Sequence, residues 1–149
     1  MTLLFKHEPA GDAPIVCDFS GATDTPEQRL AEYRQLFGAG LVSRERTGTG
    51  VVVTFDARLA SWAADLAARE AACCPFLSYL VTLDDGVVRW ETSGSAEAQP
   101  ILDECHELYH TAATISVDDL IAGLAQRGFT VTRSSAESFQ LERAEPHTA

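Results

Sequence analysis

Basic side chains are scarce in this sequence. Across 149 residues, 11 Lys and Arg face 22 Asp and Glu, for a formal net charge of −11. Such a surface repels phosphate backbones, which need clustered Lys and Arg, so nucleic acid is excluded as an expected partner. The tightest basic cluster, Arg44-Glu45-Arg46, carries its own counter-charge. Long hydrophobic runs are also missing. No stretch approaches the ~20 apolar residues of a membrane span. The start, Met1-Thr2-Leu3-Leu4-Phe5-Lys6-His7, lacks the basic region, long apolar segment and small-residue cleavage site of an export signal. No membrane partner and a cytoplasmic location are therefore expected. Cysteine is limited to Cys17, Cys73, Cys74 and Cys105. Without an export signal, free thiols are expected rather than disulfides. No Gly-rich phosphate loop, nucleophile elbow or zincin motif occurs, which counts against the enzyme classes those motifs serve.

What is present has ordinary globular composition, 46% hydrophobic and 22% charged, in a length suited to one domain. Thr25, Pro26 and Gln28 read as an N-cap, first helical position and capping box, and Leu30, Tyr33, Leu36 and Phe37 recur at helical spacing before Gly38 and Gly40. Strands are expected at Leu41 to Thr47 and Val51 to Phe55, joined at Gly48-Thr49-Gly50. The pattern recurs. Asp56 can cap a helix from Arg58 to Ala72, with Leu59, Trp62, Leu66 and Cys73 on one face, and Pro75 biases Cys74 out of helical conformation. Phe76 to Leu83 and Val87 to Thr92 read as a hairpin across Asp84-Asp85-Gly86, and Pro100 to His110 as a further helix. Ser116 with Asp119 reads as a capping box, Ile115 as a staple against Leu120, and Gly128 as a C-cap before strands at Phe129 to Arg133 and Phe139 to Arg143. The expected fold is a single α+β domain over residues 1–149. Its antiparallel sheet is built from repeated helix-hairpin units with the helices packed on it. Only Met1 to Pro14 and Ala144 to Ala149 read as loosely held.

Chemistry concentrates at Glu70-Ala71-Ala72-Cys73-Cys74-Pro75-Phe76. On a helix, Glu70 lies one turn before both thiols and Arg69 one turn before Cys73. A helix C-terminus carries partial negative charge, which raises a thiol's pKa and suits a cation better than a catalytic thiolate. Soft thiolates favour Cu(I), Zn(II) and similar ions. The competing reading is that Cys73 fills the core beside Trp62 while Pro75 ends the helix, since free cysteine behaves as a small hydrophobe. Cys74, displaced by Pro75, is expected to emerge at the helix end. Cys17-Asp18, after Pro14-Ile15-Val16, places a thiol and a carboxylate at a strand end. His106 and His110 lie one turn apart, as zinc ligands can, but read as a solvated helix end with Cys105 on the apolar face.

The stretch Glu70-x-x-Cys73-Cys74-Pro75-Phe76-Leu77, followed by Tyr79-x-Val81 and a Gly-turn hairpin, resembles a group of small bacterial proteins. These are similar to domains associated with metal-responsive regulators. The likeness runs from about Cys17 to Leu108 and implies a thiol-metal role, with Cys17 joining Cys73 and Cys74 as ligands and Asp18 and Glu70 in support. A fainter resemblance is to organomercurial lyase, which uses two cysteines and an aspartate. Cys17, Asp18 and Cys74 would take those roles, although the lyase's first cysteine and aspartate are not adjacent. Three functions are thus open. The first is a protein that binds or sequesters a soft metal (Hg, Cu(I) or Zn). The second is a thiol-dependent enzyme like the lyase, with Asp18 or Glu70 transferring protons. The third is a ligand-binding or interaction domain whose cysteines only pack.

Overall fold

The computed structural model describes residues 1–11, 13–111, 116–135 and 138–143. In chain order its elements are β1 (Thr2–His7), β2 (Cys17–Asp18), α1 (Pro26–Gly40), β3 (Leu41–Arg46), β4 (Gly50–Asp56), α2 (Ala60–Cys73), β5 (Ser78–Asp84), β6 (Val87–Ser93), α3 (Gln99–Thr111), α4 (Val117–Gln126), β7 (Phe129–Ser135) and β8 (Ser138–Arg143). Single 3-10 turns at Ala57–Leu59 and Ala96–Ala98 lead into α2 and α3. Local chemistry explains the boundaries. The Thr25 hydroxyl accepts from the Gln28 N–H at 3.1 Å and the Gln28 side chain accepts from the Thr25 N–H at 2.9 Å, so the capping box at α1 forms as the sequence implies. Ser116 and Asp119 do the same for α4, while residue 115, read as a staple, lies outside the described residues. Asp56 caps the 3-10 turn, its carboxylate accepting from the Arg58 N–H at 2.9 Å.

Five strands form one antiparallel sheet in the order β1-β5-β6-β4-β3. The tight turn between β5 and β6 has positive φ at both Asp85 and Gly86, the conformation that matches strand twist in a two-residue hairpin. Register puts Val51, Val53 and Phe55 of β4 beside Thr92, Trp90 and Val88 of β6, which in turn face Tyr79, Val81 and Leu83 of β5. All but Leu83 are buried, so this face is the floor of the core. The opposite face carries the Arg89–Glu91 ion pair at 3.1 Å. Helices α1, α2 and α3 cover the floor, with α2 against β1 and β5 and α3 against β3 and β4. Fully burying a side chain such as Leu36, Leu66 or Leu102 contributes roughly 1.5–3 kcal/mol each.

Two expectations are corrected. Within the segment Met1 to Pro14 read as loosely held, residues 2–7 form a strand that pairs antiparallel with β5, Phe5 opposite Val81 and His7 opposite Tyr79. The short apolar run Leu3-Leu4-Phe5 lies in this strand, with a register shift between Leu3 and Phe5. The third hairpin, β7–β8, does not join this sheet. It pairs with β2 in a separate three-stranded sheet ordered β2-β8-β7, Cys17 opposite Leu141. Residues 144–149, also read as loose, lie outside the described residues. Among the described residues no helix is long and apolar enough to cross a membrane.

Two glycines separate close packing from chain freedom. A Cβ on Gly50 would collide with the Thr92 carbonyl oxygen and sit 2.8 Å from Ser93 Cα, whereas one on the exposed Gly38 of α1 would meet nothing within 4 Å. Gly50→Ala should therefore lose roughly 2–3 kcal/mol of unfolding free energy, and Gly38→Ala should gain about 0.5–1 kcal/mol by lowering the entropy of the unfolded chain. Urea titrations of the two variants check both signs; stabilisation by Gly50→Ala would contradict the packing of β4 on β6.

Candidate functional site

Helix α2 ends where Pro75 forbids its continuation. Cys74 leaves helical conformation at φ −125° and ψ 66°, while its N–H still donates to the Glu70 carbonyl at 2.8 Å. The turn that follows is tied down from three sides. The Leu77 N–H and the Tyr79 hydroxyl both donate to the Cys74 carbonyl at 3.4 Å, and His7 Nε2 donates to the Pro75 carbonyl at 2.9 Å. Strand β2 arrives beside this turn, and Cys17 and Cys74, 57 residues apart, form a disulfide with a Cα–Cα distance of 4.4 Å. The expectation of four free thiols is thereby corrected. Reasoning from the absence of an export signal addresses the surroundings of the protein, whereas the cross-link depends on which sulfurs the fold brings into contact. Both residues are buried, so Cys74 does not emerge at the helix end as expected.

The other candidate residues divide around this pair. Cys73, also buried, faces away from it: its Sγ accepts from Arg29 Nη2 at 3.8 Å, and it lines a polar depression with Asp18, Ser20, Asp24 and Arg69. Its core position was foreseen, but its partner is a guanidinium. Trp62, placed beside it by the sequence reading, is only partly buried and donates through Nε1 to Glu32 at 2.7 Å. Asp18 lines the same depression and accepts from the Ser20 N–H at 2.8 Å. Glu70 lies one turn before both thiols as read, yet its carboxylate is committed to Arg29. Among the described residues no group of three or more His, Cys, Asp or Glu could hold a metal ion. The set Cys17, Cys73 and Cys74 with Asp18 and Glu70 does not converge on one point. His106 Nε2 accepts from Arg44 Nη1 at 2.7 Å, and the side chain of His110 lies outside the described residues.

Arg29 is the residue that sequence reasoning missed. Its guanidinium is 4% exposed and forks onto Asp24, Nε to Oδ2 and Nη2 to Oδ1, both at 2.7 Å. Nη1 donates to Glu70 of α2, and the Phe19 ring lies 4.8 Å from the guanidinium carbon, within cation–π range. A signal was available: Arg29 shares the i, i+4, i+7 stripe with Tyr33 and Leu36, both buried. Arg69 extends the network, reaching Glu32 at 2.8 Å, Asp65 at 2.9 Å and Asp24 at 3.4 Å.

These contacts set the protonation states. Burial works against the charge of Arg29, but the Asp24 and Glu70 carboxylates hold its pKa above the ordinary value. The hydrogen bond from Arg29 pulls the Asp24 carboxyl below its usual range despite partial burial, and Arg69 does the same for Glu32. Burial raises the Cys73 thiol, an effect Arg29 only partly opposes. Withdrawal of its sulfur from water pushes Cys105 up to about 12. Both unpaired cysteines are therefore protonated near neutrality and weak as nucleophiles.

The disulfide opens on an apolar cavity of about 100 Å³, walled by Cys17, Cys74, Leu77, Tyr79, Cys105 and the inner faces of α1, α3 and α4. Sequence reading had no access to this cavity, because its walls come from elements far apart in the chain. Comparison with protein-family models, with curated proteins and with solved structures gives no match to this chain.

Two outcomes follow from the site. Native protein alkylated near neutral pH should incorporate little label at Cys73 and Cys105, and reduction before alkylation should add two labels, at Cys17 and Cys74. Peptide mapping by mass spectrometry checks this, and two labels on Cys17 and Cys74 without reductant would contradict the cross-link. Second, Arg29→Met should cost about 3–5 kcal/mol, because it strands two partly buried carboxylates. The depressed pKa of Asp24 contributes stability above the ordinary carboxylate value of ~3.9, and that contribution disappears as pH falls through the folded value. Unfolding free energies measured from pH 7 down to 2 should accordingly fall less steeply below pH 4 in Arg29→Met than in the parent. Arg29→Lys should restore only part of the stability, since an ammonium cannot fork onto Asp24.

Proposed function

We propose that the protein is a cysteine-based binder of a thiophilic metal ion, held in the reduced state between Cys17 and Cys74. The observation that carries this reading is the meeting of two cysteines, 57 residues apart in sequence, at a Cα–Cα distance of 4.4 Å. Thiolates are soft donors and select ions such as Cu(I) and Hg(II). A pair of sulfurs supplies two-coordinate binding. Zinc takes four ligands, which the described residues around the pair do not offer, so it fits less well than its softer competitors. The disulfide is then the oxidised, closed form of the same site.

The surroundings support the reading on physical grounds. The apolar walls of Leu77 and Tyr79 exclude water that would otherwise compete for the ion. The turn carrying Cys74 is held by His7 and Tyr79 through bonds that do not involve the sulfurs, which favours one ligand being positioned in advance. Glu70 and Asp18, expected as supporting groups, act in this reading through Arg29 and through the loop after β2 rather than on the ion. The reading requires reduction before loading, and metal release should follow oxidation.

Native mass spectrometry provides the test. Protein reduced and freed of reductant under anaerobic conditions should take up one Hg(II) or Cu(I), while the oxidised protein takes up none. Cys17→Ser and Cys74→Ser should each reduce uptake at least tenfold. Cys73→Ser should bind normally and lose stability instead, through a buried hydroxyl in place of the thiol. Equal uptake by wild type and Cys74→Ser, or loading of the oxidised form, would end this reading.

A further inference from the structure

We infer that the cavity beside the Cys17–Cys74 pair is a binding site for a small, neutral, apolar molecule of about one ring. The inference concerns the cavity rather than the sulfurs and does not rest on metal binding. Its volume is about 100 Å³, somewhat below the ~150 Å³ of an apolar protein cavity known to take benzene or xenon. A close-packed interior leaves few voids of this size. This one lies where the sheet and three helices meet: Tyr79 from the sheet floor, Leu30 and Tyr33 from α1, Ile101 and Leu108 from α3, and Leu120 and Leu124 from α4.

The occupant's charge follows from what the polar atoms at the wall are already doing. Arg29 and Glu70 neutralise one another, with Asp24 completing the guanidinium. Glu104 is bound to Arg127 Nε, which lifts the arginine's pKa. The Tyr79 hydroxyl donates to the Cys74 carbonyl, and the Tyr109 hydroxyl is engaged with Thr92 and Tyr33. Burial also raises the three phenols well above their ordinary pKa, so all remain neutral. A charged guest would lose its hydration and find no free counter-charge. A neutral ring would meet aromatic faces and leucine methyls while leaving every one of these bonds intact.

The test uses the full chain in its oxidised form, without metal. Titration with benzene, followed by two-dimensional amide NMR, should give saturable shifts centred on Tyr33, Tyr79 and Leu124. Benzoate, equal in ring size but charged, should give none. Filling the cavity by Leu124→Phe should weaken benzene binding at least tenfold. If that variant fails to fold, Leu120→Phe, at a partly exposed position on the same wall, gives the same reading. Absence of saturable shifts up to the solubility of benzene would overturn the inference. So would equal binding of benzoate, or undiminished binding by a folded filling variant. Because no metal is present, these outcomes are independent of any result obtained with Hg(II) or Cu(I).

Discussion

The buried guanidinium of Arg29 is the joint on which the arrangement of the site depends. Removing an ion from water costs several kcal/mol even after the protein relaxes. That cost is offset here by a two-point contact with Asp24, a second carboxylate from Glu70 and the face of Phe19. Each partner belongs to a different part of the chain: Asp24 precedes α1, Glu70 lies in the last turns of α2, and Phe19 follows β2. Satisfying one charge thus fixes a helix, a neighbouring helix and the loop between β2 and α1 relative to one another. The loop leading out of β2 is held through Phe19, and this is what sets Cys17 against the end of α2. Arg69, the residue before Glu70, repeats the device with the half-buried Glu32 and the exposed Asp65; the Asp65 pair contributes less because water competes.

Four cysteines consequently occupy three environments. Cys17 and Cys74 share a bond at the edge of an apolar cavity. Cys73, although adjacent to Cys74, points the other way onto Arg29, because α2 persists through Cys73 and breaks only at Cys74. Cys105 lines the cavity from α3 with its pKa pushed up to about 12. Burial keeps both unpaired thiols protonated near neutrality. The Cys73 pKa is raised, the direction expected for a thiol at a helix C-terminus, but the leading cause is loss of water around the sulfur.

Local signals were legible wherever one residue's backbone choice decided the outcome. The capping box of Thr25 and Gln28, the helix stop at Cys74-Pro75 and the Asp85-Gly86 turn all rest on short-range sterics and hydrogen bonds, and each appears where the residues imply. Strand partnership was less legible. The β7–β8 hairpin is a local object, but its pairing with the two-residue β2 joins segments more than 120 positions apart, and nothing in either segment announces the other. The N-terminal strand was not legible for a related reason: its apolar run covers only three residues and shows no alternation, and its strand partner β5 lies more than 70 positions away.

The sequence by itself determined the α+β class, the acidic surface and the positions at which chain direction changes, since these follow from composition and from interactions within a few residues. It also singled out the cysteines and Glu70 as the residues of interest. Only the tertiary structure decided what those residues do to one another. Which sulfur meets which, and that Glu70 faces a guanidinium instead of a metal ion, depend on contacts across 41 to 57 positions of sequence. Such contacts are selected by the packing of whole elements and by the need to neutralise one buried charge, and neither quantity is encoded in any short stretch of residues.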